Sequence, residues 1–200
     1  MSALSPKTNR VLLGNPDRSP GVMDNDMKPS WIFLLCLSLL VIPGTATGDE
    51  MLTIGDVFPS FDLQAHDDSV VSSSDLKGSV YLVYFYPKAD TPGCTKEACA
   101  LRDAWSDLKD AEILVFGVSY DTPRSNRAFA EKFSLPFLLL SDSDKALAKS
   151  VGADRFLIPV PKRISYLIGA DGKILKGYPS VSPSSHAEDV LKDFESLTNP

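Results

Sequence analysis

The sequence predicts an α/β protein in which helices cover both faces of a central mixed β-sheet. Two continuous runs rich in β-forming residues, VYLVYF at Val80–Phe85 and ILVFGVS at Ile113–Ser119, are typical of strands buried on both faces. Helical segments follow both runs, and the chain then closes with two apolar runs, Ile164–Ile168 and Ile174–Tyr178, around the turn residues ADGK. Strands that alternate with helices and end in a hairpin indicate a sheet of mixed direction.

The remaining elements follow from the same signals. A first hairpin pairs Phe61–Leu63 with Val70–Val71 around the polar AHDDS turn, and Phe137–Leu140 is a short strand. A proline at the first helical position favours a helix over Pro123–Phe133. Three more helices are predicted, at Cys94–Leu108, at Asp144–Val151 and at about Ser185–Leu197.

Composition excludes several classes of function. The 200 residues carry 20 basic and 26 acidic side chains, a formal net charge of −6, which argues against a basic surface that binds a nucleic-acid backbone. Three cysteines are too few for a disulfide-stapled scaffold, and the two histidines, His66 and His186, cannot build a His-rich metal site. We therefore expect no metal, no cofactor and no nucleic-acid partner, and chemistry that rests on sulfur.

Residues 1–48 are predicted to form an N-terminal targeting region ahead of a single domain at residues 49–200. The segment 31–42, WIFLLCLSLLVI, has one polar residue, follows Lys28 and precedes the small residues of GTATG. This order of charged, apolar and small residues is that of a secretory signal. Because the apolar segment is too short to span a bilayer comfortably, we expect no membrane span in the mature form.

The destination of this targeting region stays open between two alternatives. Residues 1–26 are long and polar for a plain signal. Either translation starts at Met27, which leaves a conventional signal for the secretory pathway, or the front half begins a two-part address for the plastid and then the thylakoid lumen. Cleavage is expected near Ala46 or Gly48, and Cys36 is then removed with the signal.

The chemistry concentrates in YPKADTPGCTKEACALR, at residues 86–102. Cys94 follows a Pro-Gly pair at the start of the predicted helix, where unpaired backbone N–H groups and the positive end of the helix dipole favour a thiolate. Cys99 lies five residues further on, rotated by about 140° around the helix axis, and faces elsewhere. The alternative is that both cysteines are small buried hydrophobic residues. Helical spacing places Cys94 on a stripe that faces the core, with Ala98, Leu101, Trp105 and Leu108.

The spacing of Pro87, Thr91 and Cys94 resembles the signature of the peroxiredoxins, P-x-x-x-(T/S)-x-x-C. More narrowly, YFYPKADTPGCTKEACALRD is similar to the peroxiredoxin Q subgroup, also called the bacterioferritin comigratory protein group. Three further stretches resemble landmarks of that family: IGDVFPSFDLQ, EKFSLPFLLLSD and KRISYLIGADGKI. Together these matches cover nearly the whole of residues 49–200.

This resemblance implies a thioredoxin-like fold and a thiol peroxidase that takes part in antioxidant defence and redox homeostasis. The implied substrates are hydrogen peroxide and organic hydroperoxides, the implied reductant is thioredoxin or a related dithiol protein, and the subgroup favours a monomer. By the same resemblance Cys94 is the peroxidatic cysteine, whose thiolate becomes sulfenic acid, and Cys99 is the resolving cysteine that condenses with it.

Three more residues acquire roles through the resemblance. Thr91 would offer its hydroxyl to the sulfur and to the peroxide oxygen, a role compatible with capping the helix. Pro87 would fix the loop that shields the sulfenate, although a proline also simply ends a strand. Arg163 matches the arginine that stabilises the thiolate and steadies the leaving oxygen, although an arginine before a strand is usually a surface charge. The backbone N–H groups of Gly93 and Cys94 are expected to donate to the attacked oxygen.

A general thiol–disulfide oxidoreductase is the alternative function. That class uses a C-x-x-C motif, whereas this chain has four residues between Cys94 and Cys99. The chain also has no cysteine after Cys99, which excludes resolution by the C-terminal cysteine of a partner subunit. The stretch Gly152–Pro161, GADRFLIPVP, matches no motif that we can interpret.

Overall fold

The computed structural model describes residues 50–198, and these form a seven-stranded mixed sheet flanked by helices. The strands are β1 (Asp62–Ala65), β2 (Val70–Ser72), β3 (Val80–Phe85), β4 (Ile113–Ser119), β5 (Leu138–Ser141), β6 (Ser165–Ile168) and β7 (Ile174–Tyr178). The helices are α1 (Pro92–Asp103), α2 (Trp105–Asp110), α3 (Pro123–Phe133), α4 (Ala146–Ser150) and α5 (His186–Thr198).

The sheet has the order β2-β1-β5-β4-β3-β6-β7. Strands β3, β4 and β5 run parallel, while β6 pairs with β3 and β7 with β6 in the antiparallel sense. At the other edge, β1 and β2 form an antiparallel hairpin that joins β5. The predicted mixed sheet and both predicted hairpins are confirmed. Strand β3, whose carboxyl end leads into the segment that contains Cys94, lies between β4 and β6.

Side chains of β3 alternate between two apolar layers. Tyr81, Val83 and Phe85 pack into a layer with α4 and the segment 51–61. Leu82 and Tyr84 point the other way, into a layer built with α1, α2, α3 and α5. Helices therefore cover both faces, as predicted, but among residues 50–198 one face carries four of them and the other only the short α4.

The helix predicted over Cys94–Leu108 is wrong in two respects. It begins earlier, at Pro92, because Pro92 takes the first helical position and Thr91 the N-cap position. It also divides at Ala104, where φ −90° and ψ 10° end α1 and a new helix, α2, starts at Trp105. Neither glycine nor proline marks this break in the sequence, so the pattern of residue types does not reveal it.

The predicted helix Pro123–Phe133 is confirmed at both ends. Thr122 caps it by accepting the backbone N–H of Ser125 at 3.2 Å, and Ser134 ends it in the left-handed region at φ 51°. The short strand β5 is shifted by one residue from the predicted Phe137–Leu140. The apolar segment 31–42 and Cys36 lie outside the described residues. Within residues 50–198, no helix has the length and apolar character needed to cross a membrane.

Candidate active site

The site forms where the loop after β3 turns into α1. The first backbone bond of the helix runs from Thr95 N to Thr91 O at 2.8 Å. The amides of Gly93 and Cys94 come before that bond and so have no acceptor within the helix. Cys94 is the third helical residue, and its side chain is only 1% exposed. Its sulfur therefore sits in a protected position at the positive end of a helix dipole.

Arg163 reaches the sulfur from the strand next to β3. Because β6 runs antiparallel to β3, with Tyr84 opposite Ser165 and Phe85 N bonded to Ile164 O, the residue before Ile164 lies at the carboxyl end of β3. From there the Nη2 of Arg163 donates to the Sγ of Cys94 at 3.2 Å. The sheet thus brings together two residues that are 69 positions apart in the sequence.

Glu97 holds the other side of the same guanidinium. The Nη1 of Arg163 donates to Oε2 of Glu97, whose side chain is fully buried one helical turn after Cys94. Partial burial acts to lower the pKa of Arg163, but the charge of Glu97 and the hydrogen bond to Cys94 outweigh it and raise that pKa above its ordinary value. The guanidinium therefore stays charged between an acidic side chain and the sulfur.

His186, the first residue of α5, lies behind Glu97. Its Nδ1 is 3.0 Å from Oε1 of Glu97, and the histidine is 1% exposed. Sequence reasoning selected neither residue for the site. Helical spacing could have identified Glu97, because a residue three positions after Cys94 lies on the same buried face of α1. For His186 the local sequence contains no such signal, since only the fold brings α5 against α1.

Because Gly93 has no side chain, the guanidinium of Arg163 can occupy the space beside it. A Cβ on Gly93 would lie 3.2 Å from Nη2 of Arg163, which is tighter than an ordinary van der Waals contact. Gly93 therefore allows the guanidinium to approach the start of the helix and the sulfur at the same time.

Thr91 and Pro87 lie in the loop before α1, at the positions expected for them. Thr91 occupies the N-cap position, but its hydroxyl makes no capping hydrogen bond, the alternative role that the sequence left open for it. That hydroxyl instead donates to the backbone carbonyl of Lys88 at 2.9 Å, which tightens the loop. Pro87 is half-buried directly after Tyr86, where its ring restricts the backbone as the chain leaves the sheet.

The loop is also fixed from β4 and the turn that follows it. The carboxylate of Asp121 accepts the backbone N–H of Ala89 at 2.8 Å and the hydroxyl of Ser119 at 3.1 Å. Next to Ala89, Asp90 adopts a left-handed backbone at φ 56° and pairs with Lys132 at 2.7 Å. These contacts hold the loop in one conformation from outside the helix.

Cys99 lies on α1 but away from the sulfur of Cys94. Both cysteines are free thiols, and Cys99 is half-buried. Beside it, Arg102 donates to the carbonyl of Phe133 at 2.8 Å and to Asp103. The hydrogen bond to Asp103 raises the pKa of Arg102 most, with a smaller contribution from Cys99. The structure therefore does not bring the two sulfurs together in this state.

The stretch Gly152–Pro161, which the sequence left uninterpreted, is a surface loop that ends beside the site. The backbone N–H of Lys162 donates to the carbonyl of Ala153 at 2.7 Å and closes the base of the loop. At its tip the side chains of Phe156 and Leu157 are 94% and 85% exposed. The loop thus presents an apolar tip a few residues before Arg163.

This arrangement can stabilise a negative charge at sulfur and at an oxygen bound next to it. The guanidinium and the two unpaired amides supply donors, and the buried position keeps water away. Within residues 50–198, no cluster of three or more histidine, cysteine or acidic side chains could hold a metal ion. The chemistry that these residues support is nucleophilic attack by a thiolate.

Comparison with known proteins identifies the family. The sequence profile of the AhpC/TSA family matches residues 54–176. Peroxiredoxin Bcp of Escherichia coli K12 is 43% identical over 146 residues, which cover 70% of this chain and 94% of the relative. The chloroplastic peroxiredoxin Q of Populus jackii is 41% identical over 145 residues, covering 72% of this chain and 68% of the relative.

Solved structures agree with the sequence relatives. The crystal structure of peroxidoxin BcpB from Mycobacterium tuberculosis superposes with a TM-score of 0.68 at 30% identity and covers 74% of this chain and 99% of the other. A cysteine-to-serine mutant of Xylella fastidiosa PrxQ gives a TM-score of 0.70 at 26% identity, covering 75% and 99%. The thioredoxin-like fold is therefore confirmed, and the chain belongs to the AhpC/TSA family as a thiol peroxidase of the Bcp and Q group of peroxiredoxins.

Proposed function

We propose that Cys94 is the sulfur at which this peroxidase reduces hydrogen peroxide and organic hydroperoxides. The observation that carries the proposal is the hydrogen bond of 3.2 Å from Arg163 Nη2 to Cys94 Sγ, made at the N-terminus of α1. A charged guanidinium and a helix N-terminus both stabilise the anionic form of a thiol. Glu97 would keep the guanidinium in place during turnover.

In the first step the thiolate of Cys94 attacks one oxygen of the peroxide. The S–O bond forms as the O–O bond breaks, the sulfur is oxidised to a sulfenate, and the peroxide proton leaves with the second oxygen as water or an alcohol. A proton taken up from solvent then converts the sulfenate into sulfenic acid. The contact of Arg163 with the sulfur, and the lack of a helical acceptor for the amides of Gly93 and Cys94, support a role for these groups as donors in the transition state. Pro87 and Thr91 would shape the loop above the sulfur.

In the second step the thiol of Cys99 attacks the sulfenic acid. An S–S bond forms and the sulfenic oxygen leaves as water. Helix geometry places the two Cα atoms about 8 to 9 Å apart while α1 is intact, whereas a disulfide tolerates at most about 7 Å. We therefore propose that the helix unwinds between Cys94 and Cys99 before the bond closes.

The disulfide is then reduced by thioredoxin or a similar dithiol protein through exchange of two thiols for one disulfide. Because both cysteines lie on one helix of one chain, resolution needs no second subunit, which supports a monomer as the working unit. Sedimentation of the reduced and the oxidised protein would test this, and a stable dimer in both states would contradict it.

We also propose that residues 1–48 are an address removed from the mature domain at 49–200. The relatives from Populus jackii and Sedum lineare are named chloroplastic, which supports the plastid alternative, while the Escherichia coli relative carries no such name. N-terminal sequencing of the mature protein, combined with imaging of a fluorescent fusion, would decide between plastid and secretory delivery. A mature protein that retains segment 31–42 would overturn the proposal.

The decisive test of the function compares two activities of the same purified protein. Consumption of peroxide is measured with thioredoxin, thioredoxin reductase and NADPH, and reduction of insulin disulfides is measured in parallel. We expect the first and not the second, because the chain lacks the C-x-x-C motif of general thiol–disulfide oxidoreductases. The reverse result would favour that alternative class.

A further inference from the structure

A buried polar cluster lies behind the sulfur, between the sheet and the helices α1 and α5. Tyr84 and Ser165 face it from neighbouring positions on β3 and β6, and the ring of His186 packs 6.4 Å from that of Tyr84 and 5.6 Å from that of Tyr178. Within residues 50–198, the Tyr84 hydroxyl, the Ser165 hydroxyl, Oε1 of Glu97 and both ring nitrogens of His186 make no well-directed hydrogen bond. Such clustering is unusual, because buried polar groups are nearly always paired.

Within this cluster, Glu97 is held by two groups. One oxygen bonds to Arg163 and the other lies 3.0 Å from Nδ1 of His186. A fully buried carboxylate is costly unless each oxygen faces a compensating donor. From α5, Nδ1 of His186 lies within contact distance of the second oxygen, although the pair makes no well-directed hydrogen bond. The sulfur of Cys94, Arg163, Glu97 and His186 therefore form one continuous chain of contacts.

Glu97 also lies between the two cysteines in the sequence. The unwinding required for a bond between Cys94 and Cys99 must displace Glu97 from both Arg163 and His186. The contact between Glu97 and His186 therefore stabilises only the state in which the helix is intact.

Accepting Cys94 and Cys99 in the roles proposed above, we infer that His186 is a positioning residue that acts through Glu97. Through Glu97 it holds Arg163 against the sulfur for attack on peroxide, and it stabilises the first turns of α1 against unwinding. His186 thereby sets how the sulfenic acid is divided between two fates.

The two fates compete for the same sulfur. In the first, the thiol of Cys99 displaces the sulfenic oxygen as water and the disulfide forms. In the second, a further peroxide molecule transfers an oxygen to Cys94 while the helix is still intact, which oxidises the sulfur to sulfinic acid and releases water or an alcohol. A stronger contact between His186 and Glu97 lengthens the lifetime of the intact helix and therefore favours oxidation to sulfinic acid.

The test uses His186→Leu, which removes the polar contact with Glu97, and His186→Asn, whose amide nitrogen can replace Nδ1 in that contact. Val190→Ala is the matched control, because Val190 is fully buried one turn further along α5, packs in the same layer and has no polar group that could hold Glu97. Three quantities are measured for each full-length variant: the rate of sulfenic acid formation, the rate of disulfide closure, and the sulfinic fraction of Cys94 by mass spectrometry after a peroxide pulse.

For His186→Leu we expect sulfenic acid formation to slow severalfold, disulfide closure to accelerate by about tenfold, and the sulfinic fraction to fall, since the polar contact of His186 with the buried carboxylate of Glu97 has been lost. His186→Asn should restore all three toward the wild-type values. Val190→Ala should lower the melting temperature without changing the ratio of sulfinic acid to disulfide. Opposite changes in the two rates that occur in His186→Leu and not in Val190→Ala cannot come from general loosening of the fold.

A double-mutant cycle with Glu97→Gln tests whether His186 acts through Glu97. We expect the effect of His186→Leu on disulfide closure to be much smaller when Glu97 is already Gln. Equal effects in both backgrounds, or a sulfinic-to-disulfide ratio in His186→Leu equal to that of the wild type, would overturn the inference. If instead wild-type Cys94 forms neither sulfenic acid nor a disulfide with peroxide, the proposed function itself fails, which is a different result.

Discussion

Gly93 and Arg163 approach each other so closely that a Cβ on Gly93 would lie 3.2 Å from Nη2 of the guanidinium. The guanidinium has little freedom to retreat, because Cys94 and Glu97 hold it on its two sides. The glycine is therefore part of the geometry of the site and not only of the turn.

Gly93→Ala is expected to lower the peroxidase rate severalfold without lowering stability. The added methyl group displaces Arg163 from the sulfur, while alanine is a better helix former than glycine by ~1 kcal/mol within a helix. Steady-state kinetics and thermal melting of the same preparation separate the two effects. An active site that tolerates alanine, with an unchanged rate, would show that the guanidinium can shift without loss of function.

Replacing the two cysteines should produce different defects. Cys94→Ser should abolish turnover, because an alcohol is neither ionised near neutral pH nor a comparable nucleophile. Cys99→Ser should react once with peroxide and then stall as sulfenic acid or overoxidise. Stopped-flow kinetics combined with mass spectrometry of Cys94 distinguishes these outcomes, and more than a few per cent of residual turnover in Cys94→Ser would remove Cys94 from its role.

Arg163→Ala should reduce the fraction of Cys94 present as thiolate at neutral pH and slow peroxide reduction by about tenfold or more, the range expected for losing a hydrogen bond to a charged group. Arg163→Lys should recover only part of the rate, since an ammonium cannot form the planar fork that joins the sulfur to Glu97. Thiolate absorbance as a function of pH measures the first effect. Unchanged absorbance and an unchanged rate in both variants would contradict a role for Arg163 at the sulfur.

Hydrogen exchange should reveal the unwinding of α1. In the reduced protein, amides from residue 95 onward should be protected by helix bonds, and oxidation should remove that protection up to about Arg102, where the bond to the Phe133 carbonyl anchors the helix on α3. Helix α3 serves as the internal control and should exchange equally in both states. Equal protection of residues 93–102 in the two redox states would rule out resolution by Cys99 and indicate an external thiol.

Much of the fold could be predicted from local patterns. The strands β3 and β4 are continuous apolar runs, and Pro123 marks the start of α3, so their positions follow from short stretches of sequence. The break at Ala104 could not be predicted in this way, because no local residue type encodes it.

The residues of the candidate site also differ in how far local sequence predicts them. Cys94 could be selected from its position after Pro-Gly at a helix start, whereas Arg163 was chosen only through family resemblance. Glu97 and His186 were missed because their contact joins positions 89 residues apart, and no periodicity reports such a contact. The hydrogen bond from the Thr91 hydroxyl to the Lys88 carbonyl could not be predicted, because a helix cap was an equally acceptable use of that hydroxyl and the sequence does not choose between them.

If α1 unwinds during turnover as proposed, the bond between Arg102 and the Phe133 carbonyl has an entropic consequence for each catalytic cycle. Every residue that leaves the helix gains backbone freedom worth ~1–2 kcal/mol, and that freedom must be lost again when the disulfide is reduced and the helix reforms. By stopping the unwinding near Arg102, the anchor limits the number of residues that must be reordered in each cycle. The sheet and α3 then serve as a rigid template on which the short segment refolds, so the catalytic state is restored by local ordering alone.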